Sequence, residues 1–216
     1  MDKHVFAWRP PDSDISAFAR AGRDAVERRL EGISFEQVSI HVTHLVPPRL
    51  SLVPFRRDAL ALVSLTGSEA SLTAAQLALA KLPGRLEGWK VEESIPVPRR
   101  AEARATLVTF FRQSARVDRN LFMQRWFDEH TPMTLEVHPV VGYVRNVVTS
   151  PLLHGAPSWD GIVTEDFADL RDLTTLRLFG RGPRALANVV RIGRHVSSFL
   201  DLPSIQTYLA APHVPA

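Results

Sequence analysis

Residues 121–130 read LFMQRWFDEH and hold the histidine best placed to do chemistry. On an α-helix Phe122, Trp126 and His130, spaced by four, stack on one face, while Asp128 and Glu129 point elsewhere. An imidazole at the end of such a stripe has two readings. It is a polar tip that bonds a backbone carbonyl and caps the helix, or it is a titratable group held against an apolar pocket. In the second case burial lowers its pKa and keeps the ring neutral, which suits a general base near pH 7.

The other candidates each carry two readings as well. Tyr143 is either a hydroxyl donor to a developing enolate or phenolate, or a core aromatic with its tip bonded. Asp160 opens the trio WDG. It either orients His130 or polarises a substrate hydroxyl, or it is a turn residue bonding local amides, with Gly161 supplying conformational freedom. His138, before Pro139, either relays a proton at the cavity mouth or lies in an exposed loop. His195 sits near the same rim or faces solvent. Arg145 shares a strand face with Tyr143 and either meets a carboxylate or lies at the surface.

Several arrangements point away from chemistry. His41 and His44 are three apart on a strand and so face opposite ways, which argues against a joint metal site. His4 and His154 carry no signal. Glu165, Asp166 and Asp169 form an acidic run, but alternation sends Glu165 and Asp166 to opposite faces, so no paired-carboxylate site is supported. GRGP at 180–183 reads as a turn. There is no G-x-S-x-G elbow, no H-E-x-x-H and no Walker pattern.

The elements that must position these residues follow from periodicity. The first half reads as strand 5–8, helix 14–30 with Asp12 or Ser13 as cap, strand 35–46, strand 58–67, helix 68–82 and strand 89–97, whose prolines suit an edge. The second half reads as strand 104–112, a helix capped by Asp118 and running to about Met133, strands 138–148 and 159–167, one or two helices within 168–200, and strand 204–210. Each half is thus β-α-β-β-α-β, the ferredoxin-like order. A shift of 104 residues overlays the elements: Trp126 falls on Gly22, His130 on Val26, Arg145 on the His41 region and Glu165 on the strand around Ala61. Neither strand 58–66 nor strand 140–148 has a wholly polar side. Leu60 and Leu62 face one way and Ala61, Val63 and Leu65 the other. Val140, Val144 and Val148 share one face, and Val141, Tyr143 and Arg145 the other. Strands covered on both faces need a pseudo-dimer or an oligomer. The fold class is therefore α+β, with tandem ferredoxin-like units, 1–98 and 103–216, closing an intramolecular dimeric α/β-barrel.

Composition narrows the partners. The 216 residues are 45% hydrophobic and 23% charged, with 26 Lys plus Arg against 23 Asp plus Glu, a net charge of +3. That is an ordinary globular balance. The densest basic stretch, Arg99, Arg100 and Arg104, contains Glu102 and no aromatics, so it reads as a solvated linker and no nucleic-acid partner is expected. The absence of cysteine excludes disulfides and thiolate sites. The opening MDKHVFAWRPP lacks a signal-peptide core, and no run approaches the roughly 18 apolar residues of a membrane span. A cytoplasmic protein with no membrane partner and no metal is expected.

The second half resembles the EthD domain, a branch of the dimeric α/β-barrel group. The resemblance spans roughly residues 105–212. It rests on LVTFFRQSARVDRNLFMQRWFDEHTPM, HPVVGYVRN, WDGIVTEDF and HVSSFLDLPSIQTYLA. Trp126, His130, Tyr143, Asp160, Gly161, Phe199, Leu200 and Asp201 fall at the family's pattern positions. The first half departs from that pattern and reads as a degenerate copy. The resemblance implies a small-molecule enzyme of catabolism or polyketide-type metabolism. The expected chemistry is cofactor-independent lyase, decarboxylase, dehydratase or isomerase action on a small hydrophobic or aromatic substrate. Phe110, Phe122, Trp126 and Phe167 would line the pocket, His130 would move the proton, and Tyr143 and Asp160 would stabilise or orient. Two other readings stay open: a noncatalytic hydrophobic-ligand module, and haem-dependent oxidation with an axial histidine. Further homodimerisation is left open.

Overall fold

The computed structural model describes residues 2–11, 15–43, 45–180 and 183–213. Eight strands close into one antiparallel barrel: β1 (Asp2–Arg9), β2 (Gln37–Thr43), β3 (Ala61–Gly67), β4 (Arg85–Val97), β5 (Ala105–Phe111), β6 (Val140–Pro151), β7 (Gly161–Phe167) and β8 (Gln206–His213). Their order around the barrel is β4-β1-β3-β2-β8-β5-β7-β6, with β6 returning to β4. Each half of the chain therefore supplies four neighbouring staves in the same internal order. Closure removes every free edge, and β2–β8 and β4–β6 are the two seams between the halves.

Strand alternation builds two layers of core. The lumen is filled by Val5, Ala7, Leu62, Trp89, Val108, Phe110, Trp159, Ile162 and Tyr208. Outside, α1 (Ile15–Leu30) and α2 (Glu69–Leu79) bury Phe6, Trp8, Phe18, Val26, Ile40, Val63 and Leu72 against the first half. The second half carries α3 (Arg119–Gln124), a π-helical turn at Arg125–His130, α4 (Thr131–Val137), α5 (Thr175–Leu178) and α6 (Pro183–Phe199). These cover two outer clusters, one around Phe111, Phe122, Trp126, Tyr143 and Phe199 and one around Leu107, Phe167, Leu173 and Leu178. Both sheet faces are thus apolar because one faces the lumen and the other the helices. No helix among the described residues is long and apolar enough to cross a membrane.

The structure corrects several sequence expectations. Strand β4 is not an edge: it pairs with both β1 and β6, and Pro96 falls in a register shift between Ser94 and Val97, where the missing N–H breaks no ladder. Val140 does not share the lumen face of Val144. A register shift between Val140 and Gly142 turns it outward onto Phe167 and Phe179. The helix expected to run unbroken to Met133 is interrupted by the π-turn. Pro132 has no N–H and its ring would clash with the carbonyl of Asp128, so an α-helix cannot pass through it undistorted. The wider turn instead closes from Thr131 N–H to the Trp126 carbonyl. Asp118 caps α3 as expected, its carboxylate accepting from Leu121 N–H at 2.8 Å. The cap candidates Asp12 and Ser13, His44 and the middle of GRGP lie outside the described residues.

Candidate active site

The π-turn sets Trp126 and His130 over the outer face of β5, β6 and β7, while α6 brings Val196 and Phe199 over the same patch. They enclose a cavity of about 120 Å³ lined by Trp126, His130, Tyr143, Glu165, Phe199 and Thr109, with Phe111, Val163, Val196, Leu200 and Ile205 completing it. Gly161 makes this possible. A Cβ there would lie 2.4 Å from Phe111 Cζ and 2.7 Å from Trp126 Cη2, so only glycine lets the indole lie on the strand. The glycine of the WDG trio serves close approach rather than conformational freedom, since its φ is not positive.

Three titratable groups meet in this aromatic chamber. His130 is held neutral: burial, with His195 and His138 nearby, pushes its pKa down to about 3. Its Nε2 lies 3.3 Å from Thr134 Oγ1, and its Nδ1 is buried without a partner. Its ring stacks on His195 at 5.5 Å between centroids and contacts Phe199 at the same distance. Tyr143 is 1% exposed. Burial and the neighbouring Glu165 carboxylate hold its hydroxyl well above its usual pKa, against the opposing influence of Thr131, Arg145 and Trp126. The phenol therefore stays a donor. Glu165, from β7, lies 3.1 Å from His138 Nδ1.

Other residues reinforce the frame. Thr131 Oγ1 donates to the Trp126 carbonyl at 2.9 Å and accepts from Arg145 Nη1 at 3.0 Å. Arg145 also donates to Ser94 Oγ at 3.0 Å and lies over the Phe127 ring at 3.7 Å. That guanidinium braces the π-turn against the β4–β6 seam.

The candidates distribute as follows. His130, Tyr143 and Trp126 line the cavity. Phe122 packs behind Trp126 at 5.6 Å, and His195 backs His130. His138 is not an exposed loop residue; it holds Glu165 and meets the Phe179 ring edge. Asp160 stays outside. Its carboxylate accepts from Gln113 N–H at 2.8 Å and pairs with Arg119 at 2.9 Å, so it fastens the entry to β7. Phe110 faces the lumen, tilted against Trp89 and Trp159, because it alternates with Phe111, which does face the cavity. Phe167 packs with Leu173 and Leu178 in the other outer cluster. Glu165 is the residue that sequence reasoning passed over. Alternation had separated it from Asp166 correctly, and its sharing of a face with Tyr143 across the β6–β7 ladder was the available signal.

A closed eight-stranded antiparallel barrel with helices on its outside and a chamber between sheet and helix is a mixed α+β-barrel fold, here completed within one chain. The structure is similar to an anthrone oxidase-like protein, with 8% identity and a TM-score of 0.62 over 99% of this chain and 93% of that one. It is similar to a candidate monooxygenase from Lactobacillus acidophilus NCFM, with 8% identity and a TM-score of 0.51 over 100% and 99%. A variant of chlorite dismutase from Candidatus Nitrospira defluvii matches with 14% identity and a TM-score of 0.53 over 98% and 91%. At these identities the likeness carries the fold alone. No protein-family model matches the chain, and comparison with curated proteins gives no match.

The cavity also bears on the haem reading. Pockets for drug-sized ligands begin at roughly 300 Å³, and a haem macrocycle is larger than such ligands. The 120 Å³ between Trp126, Phe199 and Tyr143 does not fit it. Among the described residues no cluster of three or more His, Asp or Glu could hold a metal ion.

Proposed function

We propose that the protein is an EthD-like small-molecule enzyme that takes a proton from a small aromatic or polyketide-like substrate in the cavity behind the π-turn. The observation that carries this is the meeting of an uncharged His130, a phenol locked in its donor form and the Glu165 carboxylate on the walls of one aromatic chamber. Thr134 Oγ1 takes the Nε2 hydrogen of His130, leaving the Nδ1 lone pair as the base. Tyr143 donates to the substrate oxygen that gains charge. Glu165, held by His138, helps keep the Tyr143 phenol protonated. Arg145 and Phe122 position the turn and the indole, and Asp160 takes no part in the chemistry.

Dehydration, isomerisation and other lyase reactions that remove a proton share this first step, whereas decarboxylation releases CO2 first and ends on a proton delivered to the carbanion; no cofactor is needed for either proton step. The chamber has about the volume of the roughly 150 Å³ apolar cavities that admit benzene, so one ring enters at a time. A second reading is oxygenation of the same carbanion by dioxygen, favoured by the likeness to an anthrone oxidase-like protein. The two-unit reading, 1–98 and 103–216, belongs to the proposal and is supported by the matching stave order of the halves.

The test begins with thermal-shift and calorimetric screens of single-ring phenols and aromatic acids, followed by turnover of the ligands that bind. His130→Ala is expected to lower kcat by about two to four orders of magnitude with binding retained. Unchanged turnover by a folded variant removes His130 from the mechanism, and binding without turnover of any ligand favours a carrier. Oxygen uptake during turnover selects the second reading.

A further inference from the structure

A second and larger cavity, about 560 Å³, opens at one end of the barrel and is separated from the His130 chamber by a single layer of sheet. Its wall is made by residues that share faces with the lumen core. His41 is opposite Leu62, Ser64 opposite Val5, Lys3 opposite Val91, Thr164 opposite Val108 and Asn146 opposite Ile162. Trp89, Phe110, Trp159 and Tyr208 plug the middle of the lumen. Beyond them Arg9, pairing with Asp58 at 2.8 Å and Glu87 at 3.5 Å, closes the far end. The near end is the hollow one, and it mixes polar side chains with apolar ones.

The chemistry of this mouth is specific. Arg99 reaches in from the segment between the halves and grips Asp166 with two bonds, Nε to Oδ2 at 2.7 Å and Nη2 to Oδ1 at 3.1 Å. The same Nη2 contacts His41 Nε2. A guanidinium only donates, so His41 Nε2 is the acceptor and its ring hydrogen sits on Nδ1. That Nδ1, Arg99 Nη1 and Asn146 Oδ1 are all buried without a partner. Buried polar groups are normally bonded, and here two donors and one acceptor on residues of one cavity wall are not. Lys3, paired with Glu93, adds an ammonium, and Phe35, Val38 and Ile95 give the rim an apolar side. The cations dominate the field at His41, whose protonation burial, Arg99 and Lys3 all oppose.

We propose that the barrel mouth binds a small hydroxylated carboxylic acid with an apolar body, at a site separate from the His130 chamber. The carboxylate takes the free hydrogens of Arg99 and His41 within reach of Lys3. The hydroxyl donates to Asn146 Oδ1, and the apolar body lies on Phe35, Val38 and Ile95. The volume falls within the range of roughly 300 to 1,000 Å³ typical of small-molecule pockets.

Calorimetry of the full chain with three probes tests this. Mandelate has the acid, hydroxyl and ring; phenylacetate lacks the hydroxyl and mandelamide lacks the charge. Mandelate is expected to bind, phenylacetate about tenfold more weakly, and mandelamide more weakly still. Asn146→Asp is expected to weaken mandelate at least tenfold. Gln37→Glu, an exposed change on the rim that spares the core, is expected to weaken it severalfold, more so at low salt. Val196→Phe, which adds a ring to the His130 chamber, should leave the mandelate Kd unchanged. The proposal fails if mandelate does not bind at millimolar concentration, if mandelamide binds as well as mandelate, or if Val196→Phe weakens mandelate while Gln37→Glu does not. None of these outcomes bears on turnover in the His130 chamber.

Discussion

At the scale of the residue, the site depends on burial acting on His130 and Tyr143 in opposite chemical senses and with the same outcome: both stay neutral. For His130 the linkage has a definite sign. Its pKa is about 3 in the fold against 6.5 for the free ring, so between those values the unfolded chain takes up a proton that the native state refuses. Stability is complete above pH 6.5 and falls as pH drops towards 3, by at most about 1.4 kcal/mol per pH unit for this group. His41 acts with the same sign. Denaturant titrations at pH 7 and pH 5 should therefore show a loss of stability that is smaller in His130→Phe. An equal loss in the variant would place the effect elsewhere. Gly161→Ala tests the other local requirement. Its methyl meets Phe111 and Trp126, so a cost of about 1–3 kcal/mol is expected, together with a changed tryptophan near-UV signal as the indole shifts.

At the scale of the element, the π-turn is the device that aims His130. Its cause, Pro132, stands in the sequence, and the penalty of a proline inside a helix was readable there. The consequence was not, because a proline can end a helix, kink it or widen one turn, and only the packing of Phe122, Trp126 and Phe199 on the sheet selects the last. Pro132→Ala restores a donor for the Asp128 carbonyl. We expect the turn to relax towards α-helix, with Tm unchanged or raised and turnover reduced as His130 rotates relative to Tyr143. Retained turnover would show that the turn does not aim the imidazole. In the segment 98–104, Arg100, Glu102 and Arg104 stay exposed as its composition predicts, and of the charged residues Arg99 departs from it. Arg99 leaves solvent and enters the barrel, because the register shift at Gly142 lets it approach: a Cβ there would lie 3.0 Å from Arg99 Cα and 2.5 Å from Asp166 Oδ2. Gly142→Ala should therefore destabilise by more than a surface change, measured as a lowered denaturation midpoint.

At the scale of the whole molecule, the lumen core joins the halves, and its residues support the sites without touching the chemistry. Phe110→Ala, which opens a hole among Trp89, Trp159 and Tyr208, should cost about 3–5 kcal/mol of global stability. The folded fraction should still bind ligands of the His130 chamber, which a role for Phe110 in that chamber would forbid. The sequence by itself determined the element order, the two-sided apolar strands, the capped helix after Asp118 and the candidacy of His130 and Tyr143. These follow from periodicity and local hydrogen bonding, which act over a few residues. It did not decide which face of each strand met helix and which met lumen. A single register shift reversed Val140, and a displacement of one residue exchanged Phe110 for Phe111 as the ring at the cavity. Nor did it join Glu165 to His138, or Arg99 to Asp166 and His41, since those pairs are far apart along the chain. Only closure of the barrel, which fixes every register at once, brings such distant charges together where burial makes them count.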